Sequence, residues 1–144
     1  MTLTAIGPRE ASIFTALADA FVAPEPALPA VRDTDALRTF DVWLARSPRL
    51  NRVGLRVLLH VAELAPLLFG GGGRLRRLDP ERRRRWLGRV EHLPWRVVRE
   101  LTRALKTLIL LCYYGDPVVM VRLGYDAEAN VRRGRELRQA EGRP

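Results

Sequence analysis

A chain of 144 residues with 47% hydrophobic residues can bury one sizeable core but is too short for two comfortable domains. The single cysteine, Cys112, excludes an intramolecular disulfide, and the spaced Cys/His sets that are typical of zinc sites are missing from the sequence. Apolar runs such as 108–114 are far shorter than the roughly 20 residues that span a bilayer, so we expect no transmembrane helix. The N-terminal residues show neither a basic region followed by an apolar one nor a twin-arginine signal.

The formal charge of +9 lies entirely in the second half of the chain. Residues 1–70 hold seven Arg and seven acids, whereas residues 71–144 hold 18 basic residues and nine acids. A basic half favours nucleic-acid binding, because neutralised phosphates release counterions. However, Lys106 is the only lysine among 25 basic residues, and such a bias is typical of a GC-rich coding background. A basic helical nucleic-acid-binding protein is therefore the alternative function, and nucleic acid is not the partner we favour.

The first elements in chain order are two predicted helices joined by a proline-rich connector. Apolar residues three and four apart after Pro8 predict an amphipathic helix that ends near residues 23–24. Three prolines within 24–29 predict an extended connector. Asp33 or Thr34 can cap a second helix, whose apolar face holds Leu37, Phe40, Trp43 and Leu44.

The middle of the chain predicts a third and a fourth helix. Ser47, as an N-cap, and Pro48 begin the third, which runs to about residue 69 with Pro66 expected to kink or end it. Gly70 to Gly73 is predicted to be a flexible hinge, since it lacks the residues that complete a P-loop. The fourth helix begins at Asp79-Pro80-Glu81, and the four arginines 82–85 that follow point around its whole circumference. We expect those arginines to be solvated, with their alkyl stems covering apolar surface.

The last part of the chain predicts a long apolar helix over 95–114, a short apolar segment over 118–123 and a polar helix over 126–139. No segment shows sustained strand alternation. The fold class that follows is all-α, a single compact bundle of five to seven helices with Pro/Gly-rich connectors. We expect residues 1–126 to form the helical domain and residues 127–144 a basic, partly ordered C-terminal helix or tail.

Catalytic signals are weak. His60 has Glu63 three positions on, a spacing that would pair them on one helix face, but a structural role is the better interpretation. Cys112 lies in an apolar run and is expected to be a buried, inert thiol. The fingerprints of dinucleotide sites, serine hydrolases and zinc proteases are missing from the sequence. We therefore predict that this chain is not an enzyme, with no catalytic, cofactor-binding or metal-binding residues.

The three tyrosines all lie within 111–126, where a helix stops, turns and restarts. Gly115 can adopt the left-handed conformation after the long helix, and Gly124 permits a second turn. We expect the rings of Tyr114 and Tyr125 to pack together with their hydroxyls at the water boundary, where tyrosine is favoured in interfaces. The predicted partner-binding residues are Tyr113, Tyr114, Pro117, Gly124 and Tyr125. The alternative, that these rings fill the domain's own core, stays open.

Three segments carry a resemblance to a known family. They read ALADAFVAP over 16–24, LAPLLFGGGGRLRRLDPERRRRWLGRV over 64–90 and LTRALKTLILLCYYGDPVVMVRLGYD over 101–126. Their order resembles the small subunit (subunit 3 family) of gluconate 2-dehydrogenase-type flavoenzymes, over roughly residues 6–126. The shared motifs are a Phe before a basic linker, Arg-rich helix starts, and Tyr-Tyr, Asp-Pro and Gly-Tyr near the end.

The resemblance implies an accessory role. In that family the small subunit carries no cofactor, and a large subunit of the glucose-methanol-choline (GMC) oxidoreductase class holds FAD and oxidises an alcohol. The small subunit binds and stabilises the large one, and often supplies a twin-arginine signal. This sequence lacks that signal, which puts a role as export escort in doubt and favours a cytoplasmic complex, unless another subunit exports or anchors it.

Overall fold

The computed structural model describes residues 3–22 and 27–140. Within these ranges the secondary structure is helical, with no strand, which confirms the predicted all-α bundle of five to seven helices. The seven α-helices are joined by loops that include two short 3₁₀ turns, Val31–Asp33 and Leu75–Arg77. The helices are α1 (Pro8–Phe21), α2 (Ala36–Arg46), α3 (Arg49–Leu68), α4 (Pro80–Val90), α5 (Arg96–Tyr114), α6 (Pro117–Arg122) and α7 (Ala127–Ala140).

Side-chain caps begin three of the helices, and one of these was predicted. Asp79 accepts a hydrogen bond from the Arg82 N–H at 2.9 Å and so caps α4, as its position before Pro80 predicted. The N-cap of α2 is Asp35, one residue later than Thr34 and two later than Asp33, the predicted caps, although the Thr34 hydroxyl accepts from the Ala36 N–H at 3.4 Å. Ser47 was also misplaced: it closes α2, and its hydroxyl donates to the Trp43 carbonyl at 3.0 Å.

The glycine run after α3 ends the helix through specific backbone geometry. Helix α3 continues past Pro66 to Leu68, so the proline does not end it. Gly70 has φ of 76°, a left-handed conformation that glycine adopts without a steric penalty. The Gly71 N–H then donates to the Pro66 carbonyl at 2.6 Å, which satisfies one of the last carbonyls of the helix. The run therefore caps a helix, a role beyond that of the predicted hinge.

Helix α1 lies at the centre of the bundle and packs against α3, α4 and α5, while α2 packs against α5. The rings of Phe14 and Phe40 stack with their centroids 4.7 Å apart and join α1 to α2. The largest fully buried apolar side chains are Ile13, Phe14, Leu17, Phe40, Leu44, Leu59, Leu75, Ile109, Tyr113 and Val119.

Arg83 is buried inside the bundle, contrary to the expectation that the whole run 82–85 is solvated. Its guanidinium donates to four backbone carbonyls, those of Leu75 at 3.1 Å, Leu78 at 3.0 Å, Ala16 at 3.2 Å and Arg76 at 3.4 Å. Because these carbonyls belong to α1 and to the segment before α4, one side chain fixes that segment against the central helix.

Buried carboxylates also hold irregular segments in place. Asp41 accepts hydrogen bonds from the backbone N–H groups of Thr4, Ala5 and Ile6 at 2.8 to 3.0 Å, which fixes the N-terminal segment on α2. Burial by itself would raise the pKa of Asp41, but these hydrogen bonds outweigh it and lower the pKa below its usual value.

Helix α7 begins after Asp126, whose carboxylate accepts from the Ala129 N–H at 2.9 Å. None of its described side chains, over 129–140, is buried. Among the helices described, none is both long and apolar enough to cross a bilayer.

Candidate partner-binding surface

Tyr113 belongs to the core of the domain. Its side chain is fully buried, and its hydroxyl donates to the Pro29 carbonyl at 2.7 Å. This bond anchors α5 to the connector that precedes α2. For Tyr113 the structure therefore favours the alternative that the sequence left open, a ring that fills the domain's own interior, and an outer partner cannot contact it directly.

Tyr114 and Tyr125 lie on the surface, with 40% and 52% of their areas exposed. The rings of Tyr113 and Tyr114 meet edge to face with their centroids 5.2 Å apart. Packing of Tyr114 against Tyr125 was expected but is not among the ring contacts of the described residues. The two exposed tyrosines are thus placed separately, one at the end of α5 and one after α6.

The turn between α5 and α6 is made by Asp116, whereas Gly115 was expected to make it. Gly115 has φ of −78°, so the predicted left-handed conformation is wrong. Asp116 is extended, as a residue before proline prefers, and Pro117 is the first residue of α6. The buried Asp116 carboxylate caps α6 by accepting from the Val118 N–H at 2.8 Å, and accepts from the Asp35 N–H at 2.6 Å. It thereby joins the beginnings of α2 and α6, a role that the sequence did not reveal.

The second turn follows the prediction at Gly124. Its φ is 68°, and its N–H donates to the Val121 carbonyl at 3.1 Å. The next N–H, that of Tyr125, donates to the Met120 carbonyl at 2.9 Å. This pair of bonds is the Schellman arrangement that ends a helix, and it fixes the direction in which Tyr125 leaves α6.

A patch of exposed apolar side chains surrounds these two turns, and we name it the tyrosine-end patch. Its members lie on the last turn of α5, on α6 and just beyond it, and their exposed fractions run from 40% to 75%. Pro117 and Gly124 are exposed between them. The patch comprises Leu111, Tyr114, Val118, Val121, Leu123 and Tyr125.

An apolar groove lies at the other end of α5, between that helix, α3 and α4. Its cavity volume is about 220 Å³, and Leu17 and Phe21 of α1 contribute to its wall. Phe69 and Trp95 meet edge to face with their ring centroids 5.6 Å apart, which joins the end of α3 to the beginning of α5. Arg89 and Thr102 are the polar side chains of a lining that is otherwise apolar.

The titratable groups of the interior have structural partners. Glu63 is fully buried and accepts from Arg76 Nε at 2.8 Å, so the pairing of Glu63 with His60 that the sequence suggested is wrong. His60 lies 3.5 Å from Glu10, which is itself bound by Arg56 Nε at 2.6 Å. Among the described residues no group of three His, Cys, Asp or Glu side chains could hold a metal ion.

Cys112 is buried, and burial raises the pKa of its thiol to about 11. A thiol with this pKa is protonated at neutral pH and is a poor nucleophile.

Comparison of the chain with family models, with curated proteins and with solved structures gave no match.

Proposed function

We propose that this protein is a non-catalytic small subunit that binds and stabilises an FAD-dependent GMC-type oxidoreductase acting on an alcohol group. The resemblance of residues 16–24, 64–90 and 101–126 to the gluconate 2-dehydrogenase small subunit names the partner class. The observation that carries the proposal is the tyrosine-end patch, because six of its apolar side chains within residues 111–125 are at least 40% exposed. Monomeric proteins rarely expose large contiguous apolar patches unless they use them for binding.

The patch is suited to binding because its backbone is held in place before a partner arrives. Asp116 caps α6 at one side, and the bonds at Gly124 end it at the other. A surface ordered in advance loses less conformational entropy on association. Tyr114 and Tyr125 supply large rings with a polar tip, the kind of residue that concentrates binding energy in interfaces.

In this proposal the two subunits divide the work. The flavoprotein holds FAD and carries out the oxidation, and this chain has no cofactor of its own. If this chain binds the folded flavoprotein but not the unfolded one, binding stabilises the folded flavoprotein by mass action. The complex is a hetero-oligomer and is expected in the cytoplasm.

The nucleic-acid alternative uses the basic second half of the chain, where the arginines 82–85 form the longest basic run. Arg83 is turned inward, while Arg82 pairs with Asp79 and Arg84 with Glu81. These contacts favour the structural interpretation of the basic run, and we retain the flavoprotein as the proposed partner.

The test is a binding measurement with a purified GMC-type flavoprotein from the same organism. Truncation of an interface tyrosine typically costs about 2 kcal/mol, roughly thirtyfold in affinity. We expect Tyr114→Ala and Tyr125→Ala each to weaken binding by about that factor while helical circular dichroism is retained. Trp43→Ala is the matched control, because Trp43 is 45% exposed on α2, outside the patch. Folded tyrosine variants that bind as tightly as the parent chain would rule out this surface.

A further inference from the structure

The outward face of α3 carries a second exposed apolar surface, which we name the α3 stripe. Its residues recur at intervals of three and four, which places them on one side of a helix. The buried residues of α3, which are Leu59, Glu63 and Pro66, lie on the opposite side. With a rise of about 1.5 Å per residue, the stripe is about 27 Å long. It comprises Leu50, Val53, Val57, Val61, Leu64 and Leu68, whose exposed fractions run from 38% to 82%.

A row of basic residues runs along one flank of the stripe. It consists of Arg49, Arg52, Arg56 and His60, which are also three or four residues apart. The only acid in α3 is Glu63, which is fully buried and bound to Arg76. Arg52 is partly buried and donates to the Ala45 carbonyl at 2.8 Å, so Arg49 and Arg56 are the exposed arginines of the row. The exposed surface of α3 combines these basic side chains with apolar ones and has no acidic one.

The acid that faces this row from α1 is also neutralised. Glu10 is buried and accepts from Arg56 Nε at 2.6 Å, with His60 Nε2 at 3.5 Å. Arg56 nevertheless keeps 48% of its side chain exposed beside the stripe.

Two exposed aromatic residues lie near the C-terminal end of the stripe. Phe69 directly follows α3 and is 55% exposed, and its ring meets that of Trp95, which is 51% exposed. Trp is favoured where an apolar layer meets water, because its ring is apolar and its indole N–H can be hydrated.

We propose that the α3 stripe binds the surface of an anionic lipid bilayer, with α3 lying in the plane of the membrane and its basic row against lipid headgroups. A helix with one apolar face and Arg on its polar side is typical of such interfacial binding. The overall charge of +9 adds attraction to an anionic surface.

A second copy of this chain fits the same surface less well. Pairing stripe to stripe would bring two basic rows together, and α3 has no exposed acid to neutralise them. Protein interfaces also carry about one hydrogen bond per 100–200 Å². The six apolar side chains of the stripe offer none, whereas a lipid surface needs none from them.

The experiment uses the isolated full chain and two sets of vesicles, one of phosphatidylcholine alone and one of equal parts phosphatidylcholine and phosphatidylglycerol. We expect flotation with the anionic vesicles that weakens as salt is raised, and much weaker flotation with the neutral ones. Val57→Asp should lower the partition coefficient at least tenfold, and Arg49→Gln about fivefold. Val121→Asp, in the tyrosine-end patch, is the matched control and should leave it unchanged.

Each other outcome overturns the proposal. Equal binding by Val57→Asp, Val53→Asp and the parent chain, with helical circular dichroism retained, would exclude the stripe as the contact. Failure of the parent chain to bind anionic vesicles would exclude the lipid surface. A concentration-dependent dimer that Val57→Asp dissociates, without vesicle binding, would assign the stripe to self-association. No flavoprotein is present, so the result is independent of the function proposed above.

Discussion

The interior of the bundle holds charged side chains, and its outer surface exposes apolar ones; the two differ in whether the chain itself supplies partners for these residues. Inside, the charged side chains Glu10, Asp41, Glu63, Arg83 and Asp116 are buried, and each has hydrogen-bond partners. Among the described residues, Arg52 Nε is the one buried side-chain nitrogen or oxygen that lacks a partner. Outside, the α3 stripe and the tyrosine-end patch leave apolar side chains in water.

This difference is the basis of our two proposals that exposed apolar surfaces bind another molecule. Burying a charge costs free energy unless it is hydrogen-bonded, and this chain meets that requirement from its own residues. The exposed apolar side chains find no comparable cover within the described domain. The neighbouring pair Tyr113 and Tyr114 shows both situations, because one ring is fully buried and the other is 40% exposed.

The first of the two largest expected effects is the loss of a buried guanidinium. Arg83→Met should lower the free energy of unfolding by about 3 kcal/mol or more, because it leaves backbone carbonyls buried without donors. Arg82→Met is the control, since the Arg82 side chain is 70% exposed, and it should change stability by less than about 0.5 kcal/mol. Urea denaturation of both variants measures the difference. Equal stability of the two would contradict the structural role of Arg83.

Tyr113 and Tyr114 allow interior and surface to be compared at two adjacent residues of the same type. Tyr113→Ala should cost about 3–5 kcal/mol in unfolding free energy, because it removes a fully buried ring. Tyr113→Phe should cost about 1 kcal/mol, for the hydrogen bond to Pro29. Tyr114→Ala should cost clearly less than Tyr113→Ala. Thermal and urea unfolding give the order, and a larger loss for Tyr114→Ala would reverse the assignment of interior and surface.

The smallest expected effect is a pH dependence that comes from Asp41. Its pKa is lowered in the folded protein from the ordinary value of 3.8, so the charged form contributes stability above that pH. This contribution should be lost as the pH falls through the lowered folded-state value. Asp41→Asn should be less stable than the parent at neutral pH by about 1–3 kcal/mol, with the gap narrowing below about pH 4. A gap that stays constant from neutral to acidic pH would be inconsistent with this carboxylate being the cause.

Sequence patterns predicted the features that depend on residues a few positions apart. The helix periodicity, the Asp79 cap and the turn at Gly124 all involve residues a few positions apart. The turn after α5 was predicted, but its assignment to Gly115 was wrong because two local preferences compete there. Asp116 precedes a proline and is extended, so the chain changes direction at Asp116 and Gly115 stays right-handed.

The contacts that hold the interior together could not be predicted from local sequence patterns, because they join residues far apart in the chain. The hydroxyl of Tyr113 reaches a carbonyl 84 positions away, and Arg83 reaches Ala16 across 67 positions. Periodicity tells which side of a helix is apolar, but not which segment will lie against it. For the same reason the sequence did not show which side of α3 stays exposed.

The most direct test of the proposed function compares the two apolar surfaces in one titration with the purified GMC-type flavoprotein. Val121→Asp places a charge in the tyrosine-end patch, and Val57→Asp places the same charge in the α3 stripe; both positions are more than half exposed. Isothermal titration calorimetry should show binding weakened at least tenfold by Val121→Asp and unchanged by Val57→Asp. Parent-like affinity for a folded Val121→Asp variant, or no binding by the parent chain itself, would contradict the account.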